Sequence, residues 1–570
     1  MSTIARTVRI ARCLPAGMLV LALACSGGPD LRPVLQEGDG EAPTQKHVGP
    51  EVVMDDSGTA RFVRALYDSY QPRRAFELVG FIDRYYRAPA NEGYDEVLNK
   101  LAKTLREAGF DGEDQRLSLE LLDVAEVDAW TPVSAELVLL VEGSEPRILH
   151  SFKESGDVDR VMLPVHAPSC DLTAEVALAL EDVKKGMILV TEVPAAQVIP
   201  RAKSRGAVAV ISASLETFNQ DRLGNERHLD AIQFRTHSPG LDMPTAQISP
   251  RNLQKIGEEV ERATRRGAKV RLRFRAETKV ERRPLRTLMA MIEGEKHPEQ
   301  AIAMVSHVQE PGACDNATGV AGLVEGAVSL VEILKAKKLA WPGRSLVFLW
   351  GDEFRQSESW LATTDLEPVV GISSDMTGQT KDTGAIALLE RNPDPGAIKV
   401  LSPDFHTPWG AGQVSEDEVK KMMNGLPVIA RCAMIDVSLL EEGKWESAEH
   451  PWEGGSDHDI FIARGIPAVL FWHFTDFTYH TSLDRMGFVD PEEMRRTGVA
   501  LLATALAVSC AEPTDLDRYI DSLEKERLMR MEAATEVNDG DLAGLWEEWS
   551  DGAREWLRNL CLGIDEKIPR

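Results

Sequence analysis

The stretch Gln300–Glu325, QAIAMVSHVQEPGACDNATGVAGLVE, holds three kinds of chain in succession. The apolar run up to Ser306 reads as a buried strand, with His307 at its end. A loop follows through Pro311 and Gly312, and from Ala317 small and apolar residues recur as they do on a helix. Strand, loop and helix in that order form the repeating unit of an α/β sheet, in which ligands gather beyond the carboxyl ends of the strands. Here that end offers a histidine and, across the loop, Asp315.

The same rhythm recurs on both sides. RTLMAMIEG, RSLVFLWGDE, VVGISSDM and IPAVLFWHF are apolar runs separated by helical stretches, so residues 281–511 read as one α/β unit. Four strand ends then offer side chains able to hold metal: His307 with Asp315, Asp352 with Glu353, Asp375, and His480. Taken singly, each has a plainer role: Asp315 and Asp375 as helix caps, Asp352-Glu353 as a solvated turn, His307 as a core residue, His480 on a surface loop. Their joint placement at strand ends favours a site. Imidazoles mixed with carboxylates suit zinc, and a shared carboxylate suits two ions about 3.5–4 Å apart.

At 570 residues the chain exceeds a single core, so two or three units are expected. Residues 60–122 read as helical, with apolar positions at threes and fours in FVRALYDSYQPRRAFELVGFIDRYY and YDEVLNKLAKTLREAGF. Residues 123–280 change to short β-branched runs, AELVLLV, MILVTEV and AVAVISAS, and form a separate mixed unit. Residues 512–570 are charged and helical, with Trp546, Trp549 and Trp556 spaced for one packed face.

Residues 1–25, with Arg6, Arg9 and Arg12 before a short apolar stretch, read as a secretory signal. Their end, ALAC, resembles a bacterial lipoprotein signal, in which Cys25 would be lipidated. The expected location is therefore the cell envelope, or secretion to a periplasmic or extracellular space. Residues 26–59 read as a flexible tether, and no later run is long enough to cross a bilayer. Beyond Cys25, the cysteines Cys170, Cys314, Cys432, Cys510 and Cys561 form no zinc pattern, while leaving room for one bridge. With 64 basic and 91 acidic residues the net charge is −27, which argues against nucleic acid and anionic lipid as partners. Membrane contact is expected only through an anchor at Cys25, and oligomeric state is left open.

SHVQEPGACDNATGVAGLVE, FLWGDEFRQSES, SSDMTG, GGSDHDIFIARGIPAVLF and YHTSLD resemble, in order and approximate spacing, the dizinc peptidases of family M28. DVKKGMILVTEVPAAQVIPRAKSRGAVAVISAS, followed by MPTAQISPRNLQKIGEEV, resembles the protease-associated domain inserted in several secreted peptidases. The resemblance implies a mixed-sheet zinc-exopeptidase fold, a phosphorylase/hydrolase-like α/β sandwich, with that β/α domain inserted. It implies two zinc ions per chain, with His307 and Asp375 on one, Glu353 and His480 on the other, and Asp315 bridging. Asp352 falls at the general base, and Tyr479 at a position from which a phenol could reach substrate or an oxyanion. The activity implied is removal of residues from peptide ends, first of all the amino end. Glutaminyl cyclisation with one zinc, or peptide binding without turnover, are the alternatives.

Three departures bear on that activity. The family has Glu where Asp352 stands, and proton transfer needs reach of about 2.6–3.2 Å, directly or through one water. It has Asp where Gln309 stands, an acid that orients the first histidine. FRQSES, with Arg355 and Glu358, replaces a glycine-rich turn. Trp445, His450, Trp452 and Trp472 read as packed aromatics beside the site. Ser456, Asp457 and His458 look like a fragment of a catalytic triad but lack the GxSxG elbow of a serine hydrolase, and Asp457 and His458 read as braces for the loop beside the metals.

Overall fold

Backbone pairing carries the chain from one unit into the next without a break. A computed structural model describes residues 57–405, 407 and 414–562. The signal 1–25 and the tether up to residue 56 lie outside the described residues, which all belong to the unit Glu41–Arg570. Thirteen described strands run in chain order: β1 Leu117–Val141, β2 Arg147–Phe152, β3 Cys170–Ala177, β4 Ile188–Thr191, β5 Ala209–Ser212, β6 Thr245–Gln247, β7 Val270–Ile292, β8 His297–His307, β9 Arg344–Gly351, β10 Glu367–Ser374, β11 Ile386–Glu390, β12 Ser447–His450 and β13 Ala468–Phe474.

The main sheet has the order β12-β11-β13-β10-β8-β9-β7, with β1 beyond β7. Strands β8, β9, β10 and β13 are mutually parallel and β7 is antiparallel to β9. Parallel strands are covered on both faces, which is why β9, RSLVFLWG, is buried at every position and apolar from Leu346 onward. The helix Ala317–Lys335 lies inside this core. Although long and apolar enough to cross a membrane, contrary to the sequence expectation, it is 94% buried by the surrounding helices and strands.

β1 and β7 pair from Leu117↔Ile292 to Val141↔Val270 and form a two-stranded arm. At one end the arm completes the main sheet; at the other, β3 adds to β7 and leads into the parallel set β3-β4-β5-β6. The units therefore meet along continuous strands. The change of core falls between Ala129, packed with the main sheet, and Trp130, packed with Ile188, Ile211 and Phe274 of the insert. Helices Ala195–Ser204 and Pro250–Arg266 cover the inserted sheet.

The last helices, Leu516–Glu536 and Gly540–Leu562, pack on each other and into the main core through buried Trp546 and Trp549. Trp556 is only partly buried against that core. The five described cysteines are free thiols.

Candidate metal centre

Four parallel strands place their ends at one edge of the sheet. His307 is the last residue of β8; Asp352 and Glu353 follow β9; Asp375 follows β10; the chain leaving β13 turns back to present His480. Asp315 is free to face them because its neighbour does the capping. Asn316 Oδ1 accepts from the N–H of Gly319 at 3.2 Å and of Met376 at 3.0 Å, while its Nδ2 donates to the carbonyls of His307 and Ser374 at 3.2 and 3.3 Å. One amide thus starts the helix and ties two strand ends together. A Cβ on Gly319 would stand 2.1 Å from that oxygen, so the position demands glycine.

The predicted ligands fall into two groups that share Asp315. In the first, His307 Nε2 lies 3.1 Å from Asp375 Oδ2, and His307, Asp315 and Asp375 each offer a ligand atom within 4.8 Å of the others. In the second, His480 Nε2 lies 2.9 Å from Asp315 Oδ2 and 2.9 Å from Glu310 Oε1. Glu353, expected beside His480, stands on the His307 side, 3.9 Å from its Nε2. Gln309 holds it there: its Nε2 donates to Glu353 Oε2 at 3.1 Å and its Oε1 accepts the Glu353 N–H at 2.9 Å. The residue that departs from the pattern thus clamps Glu353, and the acid next to it, Glu310, enters the His480 group.

Glu310 and Asp484 are site residues that the sequence reading missed. Glu310 takes a left-handed φ of 84°, which turns its carboxylate inward. Its loop is gripped by buried arginines: Arg87 donates to the carbonyls of Val308 and Gly312 at 2.9 and 2.7 Å, and Arg160 of the insert donates to that of Pro311. Asp484 Oδ1 accepts from Cys314 N at 2.6 Å and Oδ2 from Asp315 N at 2.9 Å, fixing the backbone of the shared ligand. A Cβ on Gly312 would lie 1.9 Å from Asp484 Oδ2, so this loop also requires glycine. The available signal was the acid already present in YHTSLD and the acid following Gln309.

Asp352 is 7% exposed and belongs to neither group. Burial raises its pKa to about 7, against the pull of Arg355, whose Nε lies 3.5 Å from Oδ2. Ser456 donates to Asp375 Oδ2 at 2.9 Å. Asp457 accepts from Phe354 N, Gln356 Nε2 and Ser357 Oγ at 3.0, 2.6 and 2.8 Å, so these two residues brace the ligand loops. Tyr479 stacks on the His480 ring at 3.9 Å and packs against Phe474 and Phe218, steadying the imidazole. Trp445 donates to Glu493 at 2.6 Å, Trp452 to Asp459 at 2.9 Å, and Trp472 stacks on Phe474.

The insert reaches this loop directly. Phe234 N and Gln233 Nε2 donate to the His480 carbonyl at 2.6 and 2.8 Å, and Asn219 Nδ2 donates to that of Tyr479 at 2.8 Å. The Ser482 N–H donates to Ile232 at 2.9 Å.

Two imidazoles among several carboxylates form a donor set for zinc, and His307 Nδ1 and Asp375 Oδ1 are buried without a hydrogen-bond partner. The residues fit such an ion. Burial raises the pKa of Glu353 and, helped by Asp315, of Glu310; burial and Asp476 raise Asp484 to about 8. Burial lowers both histidines, but Asp375 and Glu353 outweigh it at His307, and Glu310 and Asp315 outweigh it at His480, so both end well above the usual value.

The linkage has one sign in the neutral range. Raised carboxylates and raised histidines both contribute stability that is present at low pH and lost as pH rises through the folded-state value. The metal-free protein should therefore melt at a lower temperature at pH 8.5 than at pH 6, and added zinc, which binds the deprotonated ligands, should raise the pH 8.5 midpoint more. Calorimetry with chelator and with zinc checks this; a metal-free midpoint that stays level or climbs with pH would contradict it.

No family profile matches the chain, nor does any curated protein. Solved structures do. A peptidase M28 precursor from Shewanella amazonensis aligns over 79% of this chain and 96% of its own at 16% identity, with a TM-score of 0.51, and shows the shared fold. A zinc aminopeptidase from Bacillus subtilis aligns over 76% and 94% at 15% identity with a TM-score of 0.47. An aminopeptidase from an Aneurinibacillus strain aligns over 78% and 96% at 16% identity with a TM-score of 0.45.

Proposed function

We propose that this chain is a zinc-dependent exopeptidase that binds two ions and removes residues from the amino end of peptides. The observation that carries the reading is the pair of donor groups sharing Asp315 at the ends of parallel strands. His307, Asp315 and Asp375 would hold one ion; His480, Asp315 and Glu310 would hold the other, with Glu353 beside the first. Bound zinc supplies Lewis acidity there, polarising the scissile carbonyl and lowering the pKa of water.

The chain's own groups do the rest. Asp352, buried at the end of β9, takes the proton from the attacking water and passes it to the leaving amine. Its elevated pKa suits both halves of that transfer near neutral pH. Asp484 and Asn316 fix Asp315 and the strand ends, while Ser456 fixes Asp375, so the ligands do not reorganise when charge develops. The inserted unit, read as a protease-associated domain, borders the site through residues 218–234 and would shape which peptides enter. A lipoprotein anchor at Cys25 would keep the enzyme at an envelope surface.

The test is hydrolysis of aminoacyl-nitroanilides and short peptides by the zinc-loaded chain, beside N-acetylated versions of the same peptides. Cleavage of the free but not the acetylated substrates, abolished by chelator, is expected. An absence of chelator-sensitive cleavage on every substrate would sink the reading.

A further inference from the structure

Behind the metal centre a second cluster occupies other strand ends. β11 and β12 pair in parallel with Glu390 opposite His450, so the last residue of each stands side by side, and Glu453 returns three positions later. Glu390 and His450 are fully buried, and the Glu453 side chain is 3% exposed. Glu390 Oε2 lies 3.7 Å from His450 Nδ1, Glu453 Oε1 lies 3.4 Å from His450 Nε2, and one ligand atom from each residue falls within 4.8 Å of the other two.

We infer that Glu390, His450 and Glu453 bind a further divalent transition-metal ion of the zinc class, separate from the ions of the His307–His480 centre. The ring of His450 is prepared for it. Nδ1 lies 2.5 Å from the carbonyl of Pro451, which fixes the proton on that nitrogen and leaves the lone pair on Nε2, where a long 3.3 Å contact from the Thr407 N–H is what an ion would displace. A ligating histidine whose other nitrogen donates to a backbone carbonyl is the usual arrangement around a bound metal. Glu390 Oε2 and Glu453 Oε1 are buried without a hydrogen-bond partner. Leaving buried acceptors unpaired is costly, the more so when they are charged, and a cation removes that cost. One neutral imidazole and two carboxylates carry the charge that offsets a divalent ion, and the nitrogen ligand selects zinc-like ions over calcium.

The other Glu390 oxygen shows what the ion would hold. Oε1 accepts from the N–H groups of Glu453 and Gly454 at 3.1 and 2.8 Å and lies 2.9 Å from His458 Nε2. The same segment continues into Ser456 and Asp457, which brace Asp375 and the turn after Glu353. An ion here would pin the loop that positions the first centre.

The test uses the full chain, stripped with chelator, reloaded with zinc, desalted and measured by elemental analysis. Glu453→Gln and His450→Ala should each hold one ion fewer than the unmodified protein. Asp315→Asn, which acts on both donor groups of the other centre, should lose metal from that centre only and still show a zinc-dependent rise in melting temperature, which adding Glu453→Gln should abolish. Because Asp315→Asn reports on the other centre alone, failure of the peptidase reading and failure of this one give different patterns. If His450→Ala does not fold, Glu453→Gln, which keeps shape and removes charge, decides. Ion counts in Glu453→Gln equal to those of the unmodified protein would overturn the proposal and leave protons shared between His450, His458 and the carboxylates.

Discussion

Replacing Asp315 with asparagine should empty the His307–His480 centre and lower peptide hydrolysis by on the order of a thousandfold or more. The size of the effect follows from position: Asp315 belongs to both donor groups, so one substitution acts on each. Asparagine keeps the shape but loses the charge, and a neutral amide holds two cations poorly. The fold should survive, because the backbone at this point is held by Asp484, which binds the N–H groups of Cys314 and Asp315 whatever the side chain. Elemental analysis and kcat/KM on the same sample test the idea. A variant that kept its zinc and its rate would show that Asp315 does not bridge.

Replacing Asp352 with asparagine should cut kcat by about a hundredfold to ten-thousandfold while leaving zinc content unchanged. The two readouts part because Asp352 stands outside both donor groups, yet it is the buried carboxyl adjoining Glu353 with a pKa near 7. An amide there cannot accept the proton. Asp352→Glu restores the missing methylene and should raise turnover if the shorter side chain limits reach. Should asparagine leave kcat intact, the proton passes elsewhere.

Periodicity made the sheet legible, because buried parallel strands must be apolar along their length and the helices between them must be apolar on a face. It also marked His307, Asp315, Asp375 and His480, since ligands at strand ends follow from the alternation itself. The arm of β1 and β7 was less visible. Composition shifts near residues 123 and 280, but backbone pairing takes no notice of composition and runs straight through both positions. Glu310 and the placement of Glu353 escaped for another reason. A left-handed φ at Glu310 and a two-point clamp by Gln309 decide which carboxylate faces which histidine, and neither leaves a periodic trace. Asp484 acts only through the backbone of a residue far away in sequence, which spacing does not encode.

Because residues 219, 233 and 234 of the insert hold the peptide carbonyls on either side of the His480 imidazole, displacing the insert would drag that side chain with it. If His480 holds zinc as proposed, energy stored in that displacement would be felt as weaker zinc affinity, and by reciprocity zinc would stiffen the insert. A molecule that grips only the outlying unit would then act on the proposed reaction from a distance, without entering the cleft.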